Sequence, residues 1–202
     1  MKLYYAPGAC SLADHIALLE AGVEFELERV DLRGKVTEKG ANFLTINPKG
    51  YVPALVLDSG EIVTENVAVL DWIATQHPAL GLPGPMGRTR LLEALTYIST
   101  EIHKGFKPFF TGAGEEDRAQ AERSLVNRLH WLADRKVGKY LFGNEPTVAD
   151  FYLFVTLRWA MKFNIVLPEV LVALKMRMAG RPYVQLAVEF EEAPTRRMAS
   201  AG

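Results

Sequence analysis

The stretch LGLPGPMG at residues 80–87 decides the architecture. Proline withholds a backbone N–H and glycine loses the most backbone entropy on ordering, so neither a helix nor a strand runs through it. It reads as a linker, and the patterns on its two sides differ. Residues 1–79 mix strand and helix signals. Leu3 and Tyr5 alternate before the turn pair Pro7-Gly8. Leu12, Ile16 and Leu19 recur at helical spacing, with Gly22 as the stop. Residues 25–31 alternate again, and residues 31–49, punctuated by Gly34, Gly40 and Pro48, predict loops around a short helix. Apolar runs at 52–57 and 61–64 are joined by Asp58-Ser59-Gly60 as a hairpin. Val67, Leu70, Ile73 and Ala74 form the stripe of a second helix that ends before Pro78.

Residues 88–202 carry helical patterns only. Leu91, Leu95, Ile98 and Ile102 share one face over 88–110, and Leu125, Leu129 and Leu132 do so over 116–136. Residues 147–163 are apolar on nearly every side, which predicts a buried central helix. Two more helices are expected over 168–179 and 183–192, and residues 194–202 read as a frayed end. The expected fold class is an α/β domain over 1–79, a linker over 80–87 and an all-α domain over 88–202.

Composition narrows the class of partner. Hydrophobic residues make up 49% and charged residues 23%, the balance of a soluble globular protein. With 23 basic and 24 acidic side chains the net charge is −1, which argues against nucleic acid or an anionic membrane as partner. Cys10 is the sole cysteine, so no intrachain disulfide and no multi-cysteine metal site forms. Four scattered histidines give no zinc spacing, and no metal is expected. The opening MKLYYAPGAC lacks the apolar core of a signal peptide, and no stretch is long and apolar enough to span a bilayer. A lone thiol fits a reducing compartment, so the expected location is the cytoplasm.

A few residues have chemical potential. Cys10 follows a strand and a turn and precedes Ser11-Leu12-Ala13-Asp14, which has the form of a capping box. The unpaired N–H groups and positive dipole of a helix start favour a thiolate there, predicting a lowered thiol pKa and exposure at the strand end. The alternative is a small buried hydrophobe. Ser11 either donates to a nearby thiolate or only caps the helix. His15 lies five residues on, about 500° of helix, so it points away from Cys10 and is expected to pack. Pro53, at the mouth of an apolar run, is either an ordinary trans edge proline or a cis proline that turns the Val52 backbone outward for an extended peptide. Glu65-Asn66 opens a helix and either complements its dipole or binds an amino-acid head group. His103 and Lys107 share a helix face with Lys104 beside them, a pattern usual for solvated surface. Gly105, costly inside a helix, marks a close approach or nothing. Thr147 and Asp150 form a second capping box.

Five segments taken together resemble the cytosolic glutathione transferases, most closely their bacterial beta class: KLYYAPGACSLADHIAL, NPKGYVPALVL, TEN at 64–66, EIHKGF at 101–106 and PTVADFYLF at 146–154. The resemblance covers nearly the whole chain. It implies a thioredoxin-like first domain, an all-helical second domain, a homodimer, and glutathione as co-substrate with no other cofactor. By position, Cys10 matches the cysteine that lies against the glutathione sulfur, with Ser11 beside it. Pro53 matches the cis-proline, and Val52 the residue whose backbone pairs with the cysteinyl part of the tripeptide. Glu65 and Asn66 match the γ-glutamyl site, although serine is commoner at the second position. Lys35 matches a basic residue near the glycyl carboxylate, while His103 and Lys104 match an active-site pair on the first long helix. Thr96 stands where relatives often carry asparagine at the dimer contact.

The implied activity is transfer of glutathione to small hydrophobic electrophiles held in an apolar cleft between the domains. Tyr5, Phe106, Phe109, Phe110 and Trp159 are the expected walls of that cleft. Exposed leucines Leu91, Leu92 and Leu95 are candidates for the dimer face. Thiol–disulfide exchange or peroxide reduction through Cys10 is a second expectation, although Ser11, Leu12 and Ala13 leave no C-x-x-C pair. A binding protein of the same fold is a third.

Overall fold

Leu3 and Tyr5 point one way from the strand Lys2–Tyr5 (β1) and Tyr4 the other, and all three are buried, so this strand lies between two apolar layers. The computed structural model describes residues 1–193; the expected frayed end lies outside the described residues. β1 leads into the helix Leu12–Glu20 (α1) and then to the parallel strand Glu26–Asp31 (β2). A two-residue strand Val36–Thr37 (β3), too short to leave a periodic signal, pairs with β2. Ala54–Val56 (β4) runs antiparallel to β1, and Ile62–Thr64 (β5) closes the hairpin. The sheet order is β3-β2-β1-β4-β5. Leu3 and Leu55 pack with Ile16 of α1 and with Leu70 and Ile73 of the helix Asn66–Gln76 (α2) in one core. Tyr4, Val30, Phe43 and Ala54 form a smaller core on the opposite face.

A 3₁₀ turn at Pro78–Leu80 leads through the glycine- and proline-rich stretch to the helical half. The long helix expected over 88–110 is instead broken. Gly87–Tyr97 (α3) is regular, Ile98–His103 is a π turn, Lys104–Phe106 is 3₁₀, and Lys107–Thr111 (α4) resumes the α form. Leu91, Leu95, Ile98 and Ile102 are still all buried, so Leu91 and Leu95 are unavailable to a partner chain, contrary to expectation. Glu115–Ala133 (α5) follows, and Val148–Lys162 (α6) is the buried central helix that the pattern predicts. Glu169–Ala179 (α7) and Pro182–Glu192 (α8) complete the described chain.

The second capping box forms. Asp150 Oδ2 accepts from the Thr147 N–H (2.8 Å) and hydroxyl (2.9 Å), and Oδ1 accepts from the Leu141 N–H (2.8 Å). Burial nevertheless pushes the Asp150 carboxyl up to about 6. α1 packs against both α6 and α8, which sets the first half against the helical half. Arg181 clamps Glu20 through two hydrogen bonds of 2.7 Å across that contact.

Gly105 does mark a close approach: a Cβ there would stand 2.7 Å from Leu125 Cδ2. The gain of about 1 kcal/mol from a better helix former is then outweighed by overpacking of about 1–3 kcal/mol against a fully buried leucine. Gly105→Ala should therefore lower the unfolding free energy in urea denaturation, whereas an uncrowded site would show it raised.

Candidate functional site

The turn after β1 carries the centre of the site. Gly8 adopts a left-handed conformation (φ +67°) that turns the chain after β1. Its N–H donates to Glu191 Oε2 (2.9 Å), and its carbonyl accepts from Trp159 Nε1 (2.8 Å). Both partners belong to the helical half. Glu191 is itself buried and accepts from His15 Nδ1 through Oε1 (3.1 Å). His15 is the packing residue expected of it, set among Tyr5, Phe25 and Phe190.

This turn opens into a cleft of about 1240 Å³ between the two halves. On one side lie residues 6–10, Val52, Pro53, Glu65 and Asn66; on the other lie Ser99, His103, Lys104, Phe110, Tyr152, Val155 and Trp159. Arg29, Arg158 and Lys162 add positive charge to the walls. The Val52–Pro53 peptide is cis.

Cys10 lines the cleft but is 9% exposed, and its Sγ lies 3.5 Å from the Val52 carbonyl. Desolvation by burial pushes the thiol up to about 12. The helix-start amides act in the expected direction and lose to burial. Ser11 neither caps α1 nor faces the cleft. Its hydroxyl is fully buried and binds back to the Ala6 N–H (3.2 Å), which fixes the turn.

Asn66 lines the cleft, and with its amide oriented so that the nitrogen meets acceptors it donates to the Cys10 carbonyl (3.1 Å) and Asp14 Oδ2 (2.7 Å). Glu65 stands exposed at the rim with φ +74°, and its Oε1 accepts from Lys49 and from the Tyr51 hydroxyl (2.7 Å). These two donors hold its carboxyl below the usual range. Lys35 does not line the cleft, and its Nζ donates to the Gly50 carbonyl (2.6 Å). Three of the five expected wall residues also lie elsewhere. Tyr5 is buried against His15 and Phe190, Phe106 is fully buried beneath Trp159, and Phe109 packs on Phe106 and Phe163. Apolar periodicity identifies such rings as buried without telling core from cleft.

His103 is not solvated surface. Its Nδ1 lies 2.6 Å from the Tyr152 hydroxyl and its ring meets Trp159 edge-on at 4.8 Å. Burial, and then Lys104, lowers its pKa to about 4, so the imidazole is neutral at neutral pH. Tyr152 has a side-chain partner in Ser99, and burial keeps it a phenol. When the Tyr152 phenol donates to Nδ1, the proton of the neutral imidazole is on Nε2, where it can serve as a donor. Tyr152 and Ser99 went unrecognised in the sequence. The one signal available was a tyrosine in the wholly buried face of α6, where a phenol needs a partner.

Family models for the glutathione S-transferase N-terminal and C-terminal domains match residues 9–76 and 67–185. The chain belongs to the glutathione S-transferase family. A glutathione S-transferase GstA of Escherichia coli O157:H7 is 44% identical, with 95% of this chain and 98% of that protein aligned. A sphingomonad glutathione S-transferase solved in complex with glutathione is 43% identical with a TM-score of 0.87, covering 96% of this chain and 100% of that one. The bacterial beta-class transferase of Sphingomonas chungbukensis is 42% identical with a TM-score of 0.86, covering 95% and 99%. The thioredoxin-like sheet followed by a helical domain is the fold of this family.

In this transferase Glu191→Ala would leave the buried His15 ring, and the Gly8 N–H of the exposed turn, without their acceptor. The expected loss is about 1–3 kcal/mol of unfolding free energy, chiefly the cost of one orphaned buried donor. Chemical denaturation monitored by tryptophan fluorescence checks it; a change below about 0.5 kcal/mol would mean that water replaces the carboxylate.

Proposed function

We propose that this transferase joins the sulfur of reduced glutathione to small hydrophobic electrophiles. The carrying observation is a single cleft in which a cysteine, a cis-proline strand entry and an acid at a helix start face an aromatic wall. The Val52 backbone is the extended edge for the cysteinyl part of the tripeptide. Glu65 takes the ammonium, in exchange for Lys49, and Lys104 at the rim answers a carboxylate. The aromatic face of Phe110 and Trp159 takes the electrophile.

The chemistry asks for a glutathione thiolate near neutral pH. Donors aimed at the sulfur lower its pKa by stabilising the charged form. Neutral His103 with its Nε2 proton is one such donor, and the Cys10 thiol becomes a second once the tripeptide takes the Val52 carbonyl from it. The sulfur then bonds to the electrophilic carbon, the leaving group departs with its electron pair, and the thiol proton passes to solvent. Exchange through a Cys10 thiolate is the weaker reading, because burial holds that thiol protonated at neutral pH. We further propose a homodimer, supported by the family membership, in a reducing cytoplasm that keeps Cys10 free. No helix among the described residues is long and apolar enough to cross a membrane.

Four measurements check this reading. Cys10→Ala should abolish thiol–disulfide exchange yet keep aryl-halide conjugation within about ten- to a hundredfold, the worth of one donor at about 1–3 kcal/mol; complete loss of conjugation in a folded variant would make the thiol obligatory. His103→Ala should lower kcat for conjugation more than it raises KM for glutathione. Because the lowered pKa keeps His103 neutral from about pH 5 upward, the wild-type rate should show no histidine ionisation between about pH 5 and 8, only the rise of the glutathione thiolate. Light scattering should give about twice the 22.5 kDa chain mass.

A further inference from the structure

His103 reaches the cleft with one of its two ring nitrogens already committed. It ends the π turn Ile98–His103, and its Nδ1 lies 2.6 Å from the hydroxyl of Tyr152 on α6. The two rings stand edge to face, at 89° with centroids 5.9 Å apart. Trp159 lies seven residues on from Tyr152, two turns along the same face of α6, and meets the same imidazole edge-on at 4.8 Å. Its indole is in turn fixed by the bond to the Gly8 carbonyl. The imidazole is therefore held by two aromatic side chains of one buried helix. Its Nε2 has no hydrogen-bond partner among the described residues and is not one of their sealed, unpaired atoms, so it opens to the cleft that His103 lines.

Which nitrogen carries the proton decides what this ring can do to a sulfur. Protonated on Nε2, it donates to a thiolate; bare there, it presents a lone pair and repels one. One proton lies on the bridge between Tyr152 and His103. The phenol is the stronger acid of the two groups and the imine nitrogen the stronger base, so that proton stays on oxygen and points at Nδ1. A neutral imidazole that accepts at Nδ1 carries its own proton on Nε2. Tyr152 is fully buried, so bulk water does not compete for its hydroxyl.

We propose that Tyr152 is a positioning residue of the transfer reaction: its hydroxyl, donating to Nδ1, fixes the tautomer and facing of His103 so that the Nε2–H meets the glutathione sulfur. The use in catalysis rests on the reading that glutathione is ionised in this cleft. The tautomer does not, and it is read in the free protein. The charged groups on the cleft near His103, which are Lys104 beside it, Glu65 across it, and Arg158 and Lys162 on α6, all stay in place when the hydroxyl alone is removed.

Long-range proton–nitrogen NMR correlation through the imidazoles of isotope-labelled protein separates protonated from bare ring nitrogens, and the His103 pattern is the one lost in His103→Ala. In the wild type at neutral pH, without glutathione, Nε2 should be protonated and Nδ1 bare; a protonated Nδ1 overturns the proposal before any Tyr152 variant is made. Tyr152→Phe keeps the ring against His103 and removes only the hydroxyl, with folding checked by circular dichroism. The thiol pKa of bound glutathione, read from thiolate ultraviolet absorbance after subtraction of the glutathione-free protein, should rise by about one unit or more in this variant. In aryl-halide conjugation kcat should fall about tenfold or more, while KM for glutathione changes less than about threefold. Once His103→Ala is in place, the same substitution should cost less than about twofold in kcat, because the hydroxyl acts through that ring. An equal cost in both backgrounds, or a folded Tyr152→Phe with the wild-type thiol pKa and kcat, defeats the proposal. A wild type with the expected tautomer and no conjugation would sink the transferase reading alone, and the thiol titration would still read Tyr152.

Discussion

One residue ties the two halves of the molecule together beside the chemistry. The Gly8 N–H and carbonyl, which belong to successive peptide units, are both held from the helical half, by Glu191 and Trp159. Two residues later comes Cys10. These two hydrogen bonds join the packing of α1 on α6 and α8 in holding the cysteine turn against the aromatic wall. Trp159 also meets His103, so the same indole touches the strand turn and the histidine. The cleft is a joint product of the two halves, and neither contains it alone.

Much of this was legible in the chain. The glycine and proline density at 80–87, the alternation before it and the helical stripes after it give the order of elements almost as observed. Those signals report burial, and burial is what builds elements. The same signals misplace the cleft walls, because Phe106 and Tyr5 look identical to Trp159 in a hydrophobic pattern while facing a core. The broken helix at 98–106 was invisible for a related reason: Leu91, Leu95, Ile98 and Ile102 keep one apolar face through the π turn.

The electrostatic expectation at Cys10 failed in an instructive way. A helix start does favour a thiolate, and the local amides act in that sense here. Dipole effects of this kind are about 0.3–1 kcal/mol at exposed sites and up to about 2 in partly buried ones, whereas moving a charge out of water costs several. Sequence spacing shows the first and not the second. Glu65 shows the reverse case. It lies at the rim, and its two donors outweigh its slight desolvation, so its carboxyl shifts downward.

The π turn has a consequence for how such a protein tolerates change. A π turn is in effect one residue inserted into an α-helix. The wide turn takes up that residue, so the helix beyond it keeps its facing instead of rotating by about 100°. The rotation reappears if a residue is lost while the wide turn persists, and His103 would then leave Tyr152 and Trp159 though it was itself unchanged. A one-residue change of length here is absorbed only when the turn closes with it.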